Sequence, residues 1–499
     1  MISIQVIQKY DCDILIVGGG PAGSSLAFYL AQKGIKVIVL EAQQFPRDKI
    51  CGDGVSPVAL AELQKLGLTS SEEFSQVNEI NKVALFIEEE KVTIDLSKPD
   101  ELPFHARIVP RLQLDNWIYE AAKSRGAFFL ENTRLADYSI NDHGVAITIK
   151  QGNYHKHLKA KVIIGADGSN STVARILNGT KPSEDFQLLG LRAYYEGVDG
   201  PEDRVDIFFS KDNYPGIYWL FPMGGNAANI GLAMVARTMP KSEAHIKTIL
   251  NNHIQKNKSI ADRIGKGTLN GKISGWPLTF YNPKSKITGN RLLLVGDAAG
   301  LINPLSGDGI QYALLSARWA SECLIECAGK NDFSLTALNT YKEKIEKELA
   351  YDFALSNFLI QIGRNKTFTP VWMEILTVMI QRAKVDKGYA DIIAGIFEGT
   401  HPSYKALNPQ FILKSILQGG IHIGLNASAA IFQGPGYLVQ KGKDAKNLAS
   451  NMIQSIREHP RDQIQWLAGV ANKGVDVAGF VIKEIKKKKV DVNEPTNTS

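Results

Sequence analysis

The stretch Asp13–Glu41, DILIVGGGPAGSSLAFYLAQKGIKVIVLE, limits the fold more than any other part of the chain. Its apolar run Ile14-Leu15-Ile16-Val17 reads as a strand buried on both faces, as in a parallel sheet. The run leads directly into Gly18-x-Gly20-x-x-Gly23, then an Ala/Leu-rich helix, then a second apolar strand over Ile35 to Leu40. Gly18 permits the tight turn, Gly20 lets the backbone approach a pyrophosphate, and Gly23 lets helix and strand pack closely. Pro21 and Ala22 open the helix, whose free N–H groups and positive dipole end suit phosphates. Glu41 closes the second strand 18 residues after Gly23, with Ala42 behind it. A carboxylate there can accept both hydroxyls of an adenosine ribose, and a glutamate favours FAD or NAD over NADP.

The rest of the composition narrows the class. At 499 residues the chain has room for two or three domains. A net charge of +6, part of it in Lys486-Lys487-Lys488-Lys489, is too small to imply a nucleic-acid partner. Four scattered cysteines without a CxxC or a histidine cluster imply neither a metal site nor disulfides, and fit a reducing compartment. No basic n-region with a long apolar core opens the chain, so the expected location is cytoplasmic. Ser415–Leu438 is nearly uncharged but rich in Gly, Gln, Asn and Ser, which reads as buried helix and loop rather than a membrane span.

After Glu41 comes a loop, Phe45-Pro46-Arg47-Asp48-Lys49-Ile50-Cys51-Gly52-Asp53-Gly54-Val55-Ser56-Pro57. It places two cations, a thiol and flexible glycines just past the ribose-binding strand. Such a loop can line the dinucleotide and reach toward its reactive ring; the bland alternative is a surface loop with an inert cysteine. Helices are expected over Pro57–Leu66 and Leu112–Ser124, with strands over Val83–Leu96 and Phe128–Ile149. Arg111, at the head of the second helix, is a phosphate or ring contact or else a surface arginine. Lys161–Ser171 reads as a buried strand ending in a turn at Ala166-Asp167-Gly168.

Four antiparallel strands are expected at Leu191–Tyr195, Val205–Phe209, Ile217–Pro222 and Asn229–Val235. The segment Tyr214–Pro222 there carries four aromatics with few charges, which suits a hydrophobic pocket wall or ordinary sheet core. A third buried strand, Arg291–Val295, ends in Gly296-Asp297-Ala298 and leads through Pro304, Gly307, Asp308, Gly309 and Ile310 into a helix to about Glu326. That helix N-terminus can face a phosphate or the pyrimidine side of a flavin, and Asp297 can bind a ribityl hydroxyl. Further helices are expected over Leu338–Ile360, Val371–Ala383, Tyr389–Phe397, Phe411–Leu417 and Asp462–Lys489. The last shows one narrow stripe of Ile464, Leu467, Ala471, Gly474, Ala478, Val481 and Ile485. The stripe packs on its own domain or docks on a partner helix or an anionic membrane. Beyond about Val490 the chain reads as a disordered polar tail.

The three glycine-and-aspartate stretches, in this order and spacing, resemble the FAD-dependent flavoprotein fold shared with p-hydroxybenzoate hydroxylase, over roughly residues 11–325. The resemblance implies an α/β fold with an α+β substrate domain. A Rossmann-like FAD-binding domain would draw on 11–75, 105–188 and 286–326. An antiparallel substrate sheet would use 76–104 and 189–285, a helical region 327–440, and a C-terminal extension 441–499. Within that superfamily, Pro46-Arg47-x-Lys49-x-Cys51-Gly52-Asp53-Gly54-Val55-Ser56-Pro57 looks like the loop of the geranylgeranyl reductases. Tyr218-Trp219-Leu220-Phe221-Pro222 with Asn229-Ile230-Gly231 is similar to their pocket motif, with Ala233 where a glycine is usual and Tyr214 or Tyr218 as the tyrosine.

This likeness implies hydride transfer from flavin N5 to a C=C bond of an isoprenoid or lipid-like substrate, with a proton added to the other carbon. Cys51 would handle the proton or touch the substrate. FAD contacts would come from Gly18, Gly20 to Gly23, Glu41, Ala42, Arg47, Cys51, Gly52, Arg111, Ala166 to Gly168, Gly296 to Ala298 and Gly307 to Ile310. Tyr214, Tyr218, Trp219, Phe221, Pro222 and Gly231 would line the substrate pocket. The electron donor would be NAD(P)H or a ferredoxin, and the C-terminal helix would give a peripheral membrane contact. Three competing readings share the FAD motifs: an FAD-dependent monooxygenase of an aromatic or polyene, which the Cys51–Pro57 loop does not fit; a flavin-dependent halogenase, whose WxWxIP-type motif differs from Tyr218–Pro222; and a non-catalytic FAD-stabilised lipid-binding or scaffold protein.

Overall fold

A computed structural model gives the fold. It describes residues 10–236, 243–407, 414–415, 450, 453–454 and 457–493, except positions 89, 97 and 99. The first half contains β1 (Cys12–Val17), α1 (Pro21–Gln32), β2 (Val37–Leu40), β3 (Gly54–Val55), α2 (Pro57–Lys65), α3 (Glu72–Ser75), β4 (Asn78–Ile80), β5 (Lys82–Ile87), β6 (Glu90–Asp95), β7 (Ala106–Ile108) and α4 (Arg111–Ser124). Next come β8 (Phe128–Leu130), β9 (Thr133–Asn141), β10 (Gly144–Gln151), β11 (Tyr154–Gly165), α5 (Thr172–Asn178), β12 (Gln187–Glu196), β13 (Arg204–Phe209), β14 (Ile217–Gly224) and β15 (Ala227–Val235). The chain continues through α6 (Glu243–Lys256), α7 (Lys258–Ile264), β16 (Thr268–Thr279), β17 (Thr288–Gly289), β18 (Leu292–Leu294) and α8 (Ile310–Lys330). The remaining helices are α9 (Leu335–Ile345), α10 (Tyr351–Gly363), α11 (Thr369–Val385), α12 (Lys387–Glu398) and a C-terminal helix, Pro460–Asn493.

The first sheet has the order β17-β18-β11-β1-β2-β8, with the β9–β10 hairpin attached to β11. β1 runs parallel to both β2 and β11, and β11 parallel to β18. The apolar run is buried as a central parallel strand must be: Ile14, Leu15 and Ile16 are solvent-inaccessible. α1 packs on β2, α4 and α8, so the glycine turn and the head of α8 lie at one end of this sheet.

The second sheet, β16-β12-β15-β14-β13-β5-β6, is antiparallel except for the β13–β5 pair. Alternation gives it two apolar faces. Phe86, Phe208, Tyr218 and Leu220 face one way, in a core with Leu250 and Ile254 of α6 and Ile260 of α7. Val83, Leu85 and Ile207 face the other way and share a core with α11 and α12 through Met373, Ile380, Tyr389 and Ile393. A small sheet, β3-β7-β4, links the Cys51 loop to this body.

Two helices, α6 and α7, lie where the sequence reading has only sheet. Their signal is present as Ile246, Leu250 and Ile254 at i, i+4, i+8. The expected helix Leu338–Ile360 divides into α9, a π-helical turn at Glu346–Ala350, and α10. The C-terminal helix extends to Asn493, past the expected break near Val490. It packs on α10 mainly through residues outside the stripe. The Trp466 indole N–H donates to the Gln361 carbonyl at 2.9 Å, its ring stacks on Phe368, and Lys473 is buried. Of the stripe, Ile464, Leu467, Ala471 and Ala478 are exposed, Ile464 at 65% and Leu467 at 56%, while Gly474 lies beside Phe358. The expected Phe411–Leu417 helix, most of Ser415–Leu438 and the tail beyond residue 493 lie outside the described residues. No helix among the described residues is long and apolar enough to cross a membrane.

Candidate active site

Three turns meet beside the head of α1. At Gly18, where φ is +103°, a Cβ would stand 2.3 Å from the Ala166 carbonyl oxygen. At Gly23 it would stand 1.9 Å from the Gly18 oxygen. At Gly296 it would stand 2.9 Å from the Ala22 Cβ. Backbone therefore meets backbone at Gly18 and Gly23, and the Gly296 turn, at φ +56°, closes on the Ala22 methyl; each approach needs glycine. Gly20 differs: a Cβ there would meet only Arg47 Nη2, at 3.8 Å. It faces a gap rather than a neighbour. α1 has no side-chain cap and no acid in its first turn, so its leading N–H groups are available to an anion.

The acidic end of the motif is built from β2. Glu41 is buried and accepts the Gly19 N–H and the Gln43 N–H, each at 3.0 Å. Ala42 follows, half-buried. Arg47 bridges Glu41 at 3.5 Å and Asp115 at 2.5 Å. Arg111 holds the same Asp115 from the other side through two bonds, at 2.6 and 2.8 Å. These two arginines keep the Asp115 carboxyl below its usual range.

The two later aspartates behave differently from each other. Asp167 caps α5, accepting the Thr172 N–H at 2.6 Å and the Val173 N–H at 3.3 Å, so its carboxylate is committed to that helix. Gly168 beside it has φ +76° and open space at its Cβ. Asp297 accepts the Ser169 hydroxyl at 3.2 Å, and burial raises its pKa against the pull of Lys49 and Arg111. Ala298 is buried next to it. At the head of α8, Gly307 has φ +71° and nothing near a Cβ, and Gly309 is the N-cap. Asp308 accepts the Gln311 N–H at 3.4 Å through Oδ1, while its buried Oδ2 has no hydrogen-bond partner among the described residues. Burial pushes that carboxyl up to about 6. Gaps at Gly20 and Gly307, open N–H groups and an orphaned carboxyl oxygen are the fittings of a site for a long phosphate-bearing ligand, and FAD fits them.

The Cys51 loop is pinned to the second sheet. Asp53, fully buried with φ +63°, accepts the Tyr194 hydroxyl at 2.7 Å, an Asn229 side-chain N–H at 2.8 Å and the Arg111 N–H at 3.3 Å. Burial pushes its carboxyl up to about 6, with these donors opposing. Asn229 also donates to the Cys51 carbonyl at 2.8 Å and accepts the Trp219 indole N–H at 2.9 Å. Arg192 holds Asp48 at 2.7 Å. Lys49 lies over the Trp276 ring at 3.5 Å, and burial lowers it to about 8. Burial raises the Cys51 thiol, with the Arg111 guanidinium opposing.

A cavity of about 180 Å³ opens between the two sheets. Cys51 and Gly52 form one wall and Gly307 to Ile310 another. Phe221, Val83 and Ile207 of the second sheet face them, and Phe397 and Glu398 of α12 close the end. Strand alternation decides which expected pocket residues reach it. Phe221 does, and Trp219 backs the loop on the same side. Tyr218 does not: it points to the other face, solvent-inaccessible in the core and stacked on His253 at 3.4 Å. Tyr214 packs on Gly363, away from this cavity. The Pro222 carbonyl accepts an Asn78 N–H. Gly231 lies opposite Trp219, and a Cβ there would sit 2.2 Å from that ring. Its part is to make room for the indole.

Residues 11–346 match the model of the FAD binding domain family. The chain belongs to that family: it is an FAD-dependent oxidoreductase of the p-hydroxybenzoate hydroxylase-like type. A menaquinone reductase of Mycolicibacterium smegmatis is 29% identical over 395 residues, covering 75% of this chain and 90% of that one. Digeranylgeranylglycerophospholipid reductase 2 of Methanopyrus kandleri is 29% identical over 69% of this chain and 84% of its own. Among solved structures, a geranylgeranyl bacteriochlorophyll reductase-like protein of Thermoplasma acidophilum has a TM-score of 0.63 at 24% identity, over 81% of this chain and 95% of that one. A halogenase solved with bound FAD shares the fold at a TM-score of 0.59 and 16% identity, over 95% of this chain and 96% of that one.

The sequence reading did not single out Tyr194, Arg192 or Glu398. The first two sit on β12, where nothing local separates an inward polar residue from a solvated one.

Proposed function

We propose that the protein reduces C=C bonds of a polyprenyl chain. The observation that carries this reading is the apolar cavity itself. It places Cys51 and the aromatic face of Phe221 against the glycine-rich head of α8, where the flavin ring would lie. The reductase names of the two relatives support it. Bound FAD, once reduced, supplies the hydride. Gly20 and the head of α1 would hold its pyrophosphate, Glu41 its ribose, and Asp297 its ribityl chain. Gly307 to Ile310 would meet the pyrimidine edge. An isolated alkene offers nothing to polarise, so positioning and water exclusion carry the rate. Val83, Ile207 and Phe221 would hold the chain, and Cys51 would touch it beside the reacting carbons. Electrons would come from NAD(P)H or a ferredoxin. The outward stripe at Ile464 and Leu467, followed by four lysines, would rest on an anionic membrane surface that carries the substrate.

The test is anaerobic. Flavin photoreduced in the pure protein should be reoxidised by a polyprenyl lipid, with two hydrogens gained in the product mass. Cys51→Ala should keep the flavin and slow that step. Turnover only with oxygen, and an oxygen atom in the product, would establish a monooxygenase instead.

A further inference from the structure

Each alkene reduction consumes a proton as well as a hydride. We propose that Glu398, on the last turn of α12, is the proton donor to the substrate alkene. This rests on the polyprenyl reading of the cavity.

Glu398 lines the same cavity as Cys51, Phe221 and the head of α8. Its helix ends there by construction. Gly399 takes φ +79° as the C-cap, and its carbonyl accepts a Gln311 side-chain N–H at 3.3 Å. Gln311 in turn accepts the Ser56 hydroxyl at 2.7 Å. The end of α12 is thus tied to both the head of α8 and the loop after Cys51. A carboxylate at a helix C-terminus faces the negative end of the dipole, which favours its protonated form. Apolar surroundings act the same way: burial pushes Glu398 up to about 7, and only the Ala106 N–H opposes. Arg107, also on the cavity, is turned to Glu79 at 2.7 Å and to the Val77 carbonyl.

The other groups on the cavity suit the task less well. Asp308 faces the N–H groups of Gly309, Ile310 and Gln311, which favour its ionised form. The Cys51 thiol, raised by burial above an ordinary value of 9, is the weaker acid. Further along α12 stand His401 after its cap, with Lys405 and Asp391 beside it, and, at the far end, Lys387 and three ion pairs. Those pairs are Arg382–Asp386, Lys414–Asp386 and Lys384–Glu90. In the step, the π bond of the alkene, the O–H bond of Glu398 and the N5–H bond of the reduced flavin would break, leaving the flavin oxidised. Two C–H bonds form, one from the hydride and one from the Glu398 proton. The alkene gains two electrons, which the NAD(P)H or ferredoxin donor restores to the enzyme. The Glu398 carboxylate, half-buried, recovers its proton from solvent.

The holoenzyme tests this. With flavin photoreduced anaerobically and a polyprenyl lipid added, Glu398→Gln should slow single-turnover reoxidation about a hundredfold or more. Lipid Kd and the flavin spectrum should stay as in wild type. The wild-type rate should fall as pH rises through about 7, and the variant should lose that limb. Infrared difference spectra, which need no turnover, should show a protonated carboxyl titrating near 7 that Glu398→Gln lacks. An unchanged rate and pH profile in the variant, or a Glu398 carboxyl ionised well below pH 6, overturns the assignment. Wild-type flavin that no polyprenyl lipid reoxidises instead removes the substrate reading, and the donor role with it.

Discussion

Two glycines of one motif should fail in opposite ways when substituted. At Gly18 the backbone has φ +103° and a Cβ would overlap the Ala166 carbonyl at 2.3 Å. Gly18→Ala therefore adds strain of about 1–3 kcal/mol for the unfavourable dihedral. Overpacking against main chain adds about 1–3 kcal/mol more. A sum of roughly 2–6 kcal/mol is a large part of the stability of an ordinary domain. At Gly20 the backbone is extended, with φ −70° and ψ −173°, which any residue adopts, and a Cβ meets only Arg47 at 3.8 Å. Gly20→Val should cost the apoprotein about 1 kcal/mol, the price of a poor N-cap. The valine would instead fill the gap over the N–H groups of α1. Losing one or two charge-assisted hydrogen bonds there is worth about 3 kcal/mol, roughly a hundredfold in FAD Kd. Urea unfolding of the apoproteins and a flavin fluorescence titration separate the two effects. A Gly20→Val protein with wild-type FAD affinity, or one as unstable as Gly18→Ala, would refute the reasoning.

Asn229→Leu deletes the bonds to Trp219, Cys51 and Asp53 and strands buried polar atoms, so it should cost about 2–4 kcal/mol in urea melts and open residues 47–55 to proteases. Asp53 has a folded-state pKa of about 6 against an ordinary 3.8, so the folded chain holds its proton longer. Its contribution is full below about pH 4 and is lost as pH rises through 6, worth at most roughly 3 kcal/mol. The apoprotein melting curve should show that slope between pH 4 and 6, and Asp53→Asn should flatten it; equal slopes would remove the assignment. Ile464→Glu with Leu467→Glu alters exposed positions, so stability should move by less than about 0.5 kcal/mol while binding to anionic liposomes drops. Trp466→Ala, on the packed face of the same helix, should instead cost about 2–4 kcal/mol in the same melts.

What could be read from the sequence was local. Gly18 to Glu41 declared a βαβ unit because strand, turn and helix are contiguous, and Gly18 and Gly23 each answer to a clash within that unit or with one neighbouring turn. Asp167 shows where local reading stops. A strand ending in Ala-Asp-Gly suggests a ligand contact, yet the carboxylate serves the N–H groups of α5 a few residues on. The aromatic segment shows the same limit in a sheet. Alternation separates Tyr218 and Leu220 from Trp219 and Phe221, but it assigns neither pair to the cavity. That choice is made by α6 and α7, whose apolar faces claim Tyr218, and those helices were not anticipated.

The cavity is a further step removed, because it has no sequence segment of its own. Its walls are the Cys51 loop, the head of α8, one face of the second sheet and the end of α12. The loop reached it because Asn229 and Tyr194, on adjacent strands of the second sheet, hold Asp53. α12 reached it because Gly399 leaves room for Gln311 where a Cβ would stand 2.7 Å from its Oε1. In the sequence, Glu398-Gly399 reads as an ordinary helix end, a surface acid followed by a C-cap. Only the packing of that cap on α8 turns the acid inward. A substitution at Gly399 should therefore move Glu398 without touching the flavin cradle at α1. Gly399→Val, strained at φ +79° and pressed on Gln311, should slow alkene reduction while FAD Kd stays within about threefold of wild type, less than about 0.7 kcal/mol. Loss of FAD equal to that of Gly20→Val would mean that α12 supports the cofactor site rather than the substrate cavity.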